Sequence, residues 1–224
     1  MSLLDDIEPV QTRTLPVILL LDTSGSMRQD DKIAVLNDSV MQMIAELASV
    51  DAGHGFITLT LITFGGDSAE VIQKNVPVAS IAFTRLNASG KTPMGHAFAL
   101  TRELIENRDE ISSKAYRPTI ALVSDGLPKP ALVGELEALI GSDRGSKSSR
   151  FALAVGADAD RNLLAQFASG GDVREASEAA EIRNFLQWVT NTVTQATLSI
   201  FDADVKSQSV SDESIARLQQ NDAF

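Results

Sequence analysis

Leu15 to Leu21 (LPVILLL) is an apolar run without alternation that stops abruptly at Asp22, Thr23, Ser24, Gly25 and Ser26. A short apolar run bounded by turn residues predicts a strand buried on both faces and ending in a polar loop. The period then changes. Ile33, Leu36, Val40, Ile44 and Leu47 recur at steps of three and four, one apolar stripe along a helix capped by Asp30 or Asp31 and running to about Val50. Asp51 to Gly55 carries two glycines and ends it. Phe56 to Phe64 (FITLTLITF) is rich in β-branched and aromatic residues and predicts a second strand. Gly65, Gly66 and Asp67 turn tightly into a short third strand, Ala69 to Gln73, and so short a connection allows only an antiparallel hairpin at a sheet edge. Pro77 to Phe83 fits neither period.

In the second half, a loop, Leu86 to Gly95 (LNASGKTPMG), leads into a helix from about Met94 to Ile111. Arg117 to Ser124 (RPTIALVS) predicts another buried strand, which breaks into Asp125, Gly126, Leu127 and Pro128. A helix over Leu132–Ile140, a polar linker over Gly141–Ser149, a strand over Arg150–Val155, a helix over Asp160–Ala168 and a short strand over Val173–Ala176 follow. An amphipathic helix from Glu178 to about Thr194 turns Ile182, Phe185, Leu186, Val189 and Val193 inward. Helices alternating with strands predict a doubly wound α/β fold with a mostly parallel sheet. The expected organisation is a lead-in over residues 1–14, one domain over 15–196, and a tail over 197–224 in which Ser211 to Gln220 can form a helix.

Composition narrows the function classes. The 224 residues carry a formal charge of −11, from 30 acidic and 19 basic side chains, a balance that disfavours nucleic acid and anionic membrane surfaces as partners. No apolar run approaches the roughly 20 residues of a membrane span. The opening MSLLDDIEPV lacks the basic-then-apolar pattern of a secretory leader, so the expected location is cytoplasmic. Without cysteine, thiolate nucleophiles, thiolate metal sites and disulfides are excluded.

In an open α/β sheet, ligands gather beyond the carboxyl ends of the strands, which is where Asp22, Ser24 and Ser26 fall. One carboxylate and two hydroxyls at alternate positions offer oxygen donors suited to a hard divalent cation such as Mg²⁺. The same residues also make an ordinary turn and helix cap. Asp125 follows a second buried strand at once; if both strands are central and parallel, the two carboxylates share one rim. Between them Thr92 precedes Pro93, a pattern that reads as an N-cap with proline at the first helical position, and equally as a ligand.

Asp22-x-Ser24-x-Ser26, then Thr92, then Asp125-Gly126, resembles the metal-ion-dependent adhesion site of von Willebrand factor A (vWA) domains. The stretches LPVILLLDTSGSM, LITF, ASGKTPMGHA, RPTIALVSDGLP, FALAVGADAD and FLQWV extend the resemblance to the TerY-like, tellurium-resistance-associated bacterial group, over residues 15–189. The resemblance implies a six-stranded sheet with one antiparallel edge strand and helices on both faces. It implies that Ser24 and Ser26 ligate the metal directly, that Thr92 does so in the liganded form, and that Asp22 and Asp125 act through water and hydrogen bonds. The ion would be Mg²⁺, with Mn²⁺ or Ca²⁺ as alternatives, and an Asp or Glu of a partner would complete it. The implied role is a non-enzymatic interaction module of a bacterial stress-response complex (tellurite, other chemical stress or phage defence), with a protein kinase or PP2C-like phosphatase as partner. Lys91 beside Thr92 reads first as a solvated surface lysine, with steering of an acidic partner as the alternative.

Rival readings fit less well. A vWA subunit of an AAA+ machine of the MoxR or chelatase type shares the metal site and differs in partner. Gly90-Lys91-Thr92 looks like the end of a phosphate-binding loop, but Arg85 stands where that motif needs glycine. An Asp-nucleophile phosphatase needs an acid at position 24, where Ser24 stands, and Gly25-Ser26-Met27-Arg28-Gln29 lacks the second glycine of a serine-hydrolase elbow.

Overall fold

The computed structural model describes residues 13–52, 56–126 and 133–221, with side chains up to residue 201. Its centre is β1 (Leu15–Asp22), buried at every position. The lack of alternation has a direct cause, because both faces of this strand are covered. Val17, Leu19 and Leu21 join one core with Leu36, Val40, Met43 and Leu47 of α1 (Lys32–Asp51) and Phe185, Leu186 and Val189 of α5 (Ala180–Asn221). Ile18 and Leu20 join the other, with Met94, Ala97 and Phe98 of α2 (Met94–Glu106), Leu136 and Leu139 of α3 (Val133–Gly141), and Leu163, Leu164 and Phe167 of α4 (Arg161–Phe167).

The remaining strands are β2 (Ile57–Gly65), β3 (Ser68–Pro77), β4 (Thr119–Ser124), β5 (Ser149–Val155) and β6 (Val173–Ala176). They form one six-stranded sheet in the order β3-β2-β1-β4-β5-β6. Only β3 is antiparallel, paired with β2 at the edge; the other pairs are parallel. This is the doubly wound α/β arrangement the sequence predicts. The chain leaves β1 towards β2 on one side and later returns to lay β4 on the other, so β1 and β4 flank the point where the winding reverses, the place such sheets bind ligands.

Several local expectations are corrected. β3 runs on to Pro77 rather than Gln73, through register shifts against β2, with Asn75 at φ 50° and its amide bonded to Thr60 Oγ1 at 2.9 Å. An edge strand accommodates such a bulge and a terminal proline, which read as breakers in sequence. Pro77–Phe83 resolves into the end of β3 and a 3-10 turn, Val78–Ser80. Neither Asp30 nor Asp31 caps α1 through its side chain in the expected way; a 3-10 segment, Gly25–Asp31, precedes the helix, and Asp31 at its N-cap sits at φ 56° without a side-chain bond. α2 stops at Glu106, short of Ile111, where Asn107 turns extended. α5 continues unbroken past Thr194 to Asn221, a stretch with no glycine or proline. Past Thr194 the β-branched Thr197 returns its hydroxyl to the preceding turn, to Val193 O at 2.9 Å, as Thr190 does earlier in the helix to Leu186 O at 2.8 Å. Contrary to the sequence expectation, Gly25–Asp51 is apolar and long enough to pass for a membrane span. In this fold its apolar stripe is spent on the sheet. Residues 1–12, 53–55, 127–132 and 222–224, and with them most of the lead-in and the Leu127–Pro128 turn, lie outside the described residues.

Candidate metal centre

Three loops meet at the carboxyl rim of the sheet. β1 ends on Asp22, which pairs in register with Phe64 of β2, and Leu21 pairs with Val123 of β4, so Asp22 and Ser124 stand side by side. The loop carrying Thr92 is laced to this rim by backbone hydrogen bonds: Ser89 N to Thr23 O at 2.7 Å, Gly25 N to Gly90 O at 2.9 Å and Gly66 N to Ser89 O at 2.7 Å. Gly90, at φ +69°, lies so close to Gly66 that a Cβ would fall 2.5 Å from Gly66 Cα, which keeps any side chain out of this crossing.

All five predicted residues come to this rim. Asp22 and Ser24 are fully buried, and Asp125 nearly so. Asp22 Oδ1 accepts the Ser24 amide at 2.8 Å and Oδ2 accepts the Ser124 hydroxyl at 2.6 Å. The Ser24 and Ser26 hydroxyl oxygens are 3.0 Å apart, and Ser26 donates to Asp125 Oδ1 at 2.7 Å. The N-cap of α2 is Pro93, with no side-chain bond, so the Thr92 hydroxyl is not consumed by capping. It stands against Gly126, where a Cβ would come within 2.6 Å of it. Ser26, Thr92, Asp125 and Gly126 line one open cleft of about 320 Å³ with Gln29, Lys32 and the Val155–Asp158 turn.

The donor set fits a small hard cation. Every donor is an oxygen, and the 3.0 Å between the Ser24 and Ser26 hydroxyl oxygens matches the edge of an octahedron with Mg²⁺–oxygen bonds, about 3.0 Å. Both oxygens of each carboxylate accept hydrogen bonds, and the hydroxyl oxygens of Ser24, Ser26 and Thr92 keep lone pairs that can be offered to an ion.

The sequence reading missed two members. Ser124, read only as the last residue of a strand, fixes Asp22. Lys32, which no sequence pattern singles out, reaches Asp125 Oδ2 at 2.8 Å with its side chain only 13% exposed. Lys91 is an exposed lysine, as its first reading has it, and pairs with Asp67 at 2.9 Å on the rim.

Residues 17–127 match the sequence profile of the von Willebrand factor type A domain. This chain carries a vWA domain. Its fold is similar to that of the mussel byssus proximal thread matrix protein 1 (16% identity, 81% of this chain and 48% of that chain, TM-score 0.63), solved with a zinc-occupied MIDAS motif. It is similar as well to the pilus adhesin SpaC of Lactobacillus rhamnosus GG (13% identity, 84% and 31% of the two chains, TM-score 0.69). An uncharacterized protein of Mycobacterium tuberculosis is 29% identical over 113 residues, 49% of this chain and 17% of that protein. The chain thus spans less than half the length of each of these relatives.

Electrostatics of the vWA rim couple metal to protons. Burial, opposed by hydrogen bonds from Ser124 and Ser24 and reinforced by the Asp125 charge, pushes the Asp22 carboxyl up to about 6. Without metal, the folded state therefore holds a proton that the unfolded chain gives up, and the Asp22 contribution to stability falls as pH rises from the ordinary carboxylate range through about 6. A cation favours the ionised carboxylate, so the Mg²⁺-minus-EDTA difference in melting temperature is expected to be larger at about pH 7.5 than at about pH 5. Melting curves of the wild type and Asp22→Asn check this, since the substitution should flatten the pH dependence of that difference.

Proposed function

We propose that this chain is a Mg²⁺-dependent protein-binding module in which Ser24, Ser26 and Thr92 hold the ion while Asp22 and Asp125 orient them. The observation that carries the reading is the convergence of these five oxygen-bearing side chains, from three separate segments, beside an open cleft. With neutral hydroxyls as direct donors, a bound ion keeps Lewis acidity and an exchangeable position for an Asp or Glu of a partner. The chain's own part is to fix the hydroxyls, to hold both carboxylates in place, and to leave the approach through the cleft open. Ser24, a hydroxyl where an Asp-nucleophile phosphatase needs an acid, supports a binding role over an enzymatic one.

The setting we infer is the TerY-like one: a cytoplasmic bacterial stress-response complex whose partner is a protein kinase or a PP2C-like phosphatase. It is supported by the resemblance of stretches across residues 15–189 to that group and by an acidic, cysteine-free chain. The domain we assign to this role covers residues 15–196. Immobilised full-length chain should retain its partner from a lysate of the source cells in Mg²⁺ and lose it in EDTA, in Asp22→Ala and in Thr92→Ala. Retention that survives chelation and both substitutions contradicts the reading.

A further inference from the structure

Lys32 is an unexpected residue where it stands. It is the first residue of α1, where the helix dipole disfavours a positive charge, and the first turn contains no acidic side chain to offset it. The chain reaches it through Asp30 and Asp31, consecutive non-glycine residues in the left-handed region at φ 52° and 56°. Local backbone conformation of that kind persists only where the surroundings enforce it, and it gathers at functional sites. This entry brings Lys32 to the opposite side of the rim, where its ammonium meets Asp125 Oδ2 at 2.8 Å, with side-chain exposures of 13% and 0%. The other oxygen of the same carboxylate holds Ser26.

Charge gives this contact a consequence. Asp22 and Asp125 repel each other across the rim. Lys32 offsets one of the two negative charges, so the cage presents a net charge of about −1 to an incoming cation instead of −2, and a divalent ion at the serine hydroxyls enters beside a fixed positive charge. The ion pair is also what keeps Asp125 satisfied when no ion is present, since a buried carboxylate without a partner is strongly destabilising.

We propose that Lys32 is the resident counter-ion of the centre: its ammonium stands on Asp125 in place of the metal's charge and opposes cation loading, holding the free site weak. This rests on the metal-binding reading above, and it gives an acidic partner a reason to be needed, because its carboxylate restores the charge that Lys32 removes. A purely structural lysine, tying α1 to the end of β4, makes a different prediction: its loss would loosen the rim and leave cation affinity unchanged or lower.

The test uses Mn²⁺ alone as probe, its uptake by the full chain followed from the loss of the free-ion electron paramagnetic resonance signal, with circular dichroism to verify folding. Lys32→Met is expected to bind Mn²⁺ at least about fivefold more tightly than wild type, and Lys32→Arg to stay within about twofold. The melting temperature of Lys32→Met should be lower than wild type in EDTA and should rise more on adding Mn²⁺. If Lys32→Met fails to fold, Lys32→Gln carries the same expectation. Folded Lys32→Met or Lys32→Gln with unchanged or weaker Mn²⁺ affinity overturns the role of Lys32, while Mn²⁺ uptake by wild type that disappears in Asp22→Ala leaves the metal centre itself standing. If neither the wild type nor any Lys32 variant takes up Mn²⁺, the centre and the counter-ion role fall together.

Discussion

Asp125→Ala is expected to lower the melting temperature of the metal-free protein by about 6–12 °C and to abolish its rise on adding Mg²⁺. Asp125 accepts Ser26 on one oxygen and Lys32 on the other, with its own side chain fully buried. Truncation leaves an ammonium that is only 13% exposed without its counter-charge. Removing one member of a buried pair costs about 3 kcal/mol or more, and about 3 kcal/mol corresponds to about 6–12 °C for a domain of this size. The ledger has an internal check. In the double variant Lys32→Met with Asp125→Ala no charge is left stranded, so its loss should be smaller than the sum of the two single losses. Thermal melts in EDTA and in Mg²⁺ read both quantities. Additive losses, or a full Mg²⁺ response in Asp125→Ala, would remove Asp125 from the centre.

The second large effect is at Gly126. An added Cβ there would lie 2.6 Å from Thr92 Oγ1 and 3.1 Å from its Cγ2, and the residue is outside the left-handed region, so the conflict is with the Thr92 side chain and not with the backbone. Gly126→Ala should therefore push the Thr92 hydroxyl away from the serines while leaving the fold intact. Mg²⁺ affinity is expected to fall at least about tenfold, or about 1.4 kcal/mol, with a melting temperature in EDTA close to wild type. Gly134→Ala is the matched control, because nothing lies within 4 Å of its added Cβ. Calorimetric titration with Mg²⁺ separates the two. Equal affinities for Gly126→Ala and wild type would mean that Thr92 contributes nothing to cation binding.

How much of this was legible in the sequence follows from what each feature depends on. The buried run of β1, the helical stripe of α1 and the antiparallel edge are set by local periodicity and a short turn, and they can be read off the chain. Asp22, Ser24, Ser26, Thr92 and Asp125 stand out because each follows or precedes an apolar element directly. The Lys32–Asp125 pair joins residues 93 positions apart, and a lysine at a helix start reads as solvated until the fold closes over it. Ser124 is likewise an ordinary strand terminus until β1 is laid beside it. The contact of Gly90 with Gly66 depends on two loops crossing, which no local pattern encodes. The full length of α5 is not legible because the apolar stripe thins beyond Thr194, and a helix that continues without an apolar face leaves no periodic signal.

The vWA fold itself leaves the chemistry open, since a domain of this kind works as an adhesive centre only if its rim takes up an ion. The most direct measurement is the anomalous difference density of crystals grown in Mn²⁺. The account predicts one peak within bonding distance of the hydroxyl oxygens of Ser24, Ser26 and Thr92, at the mouth of the cleft. Manganese absent from that position in well-ordered crystals, with the three hydroxyls turned away from one another, would contradict it.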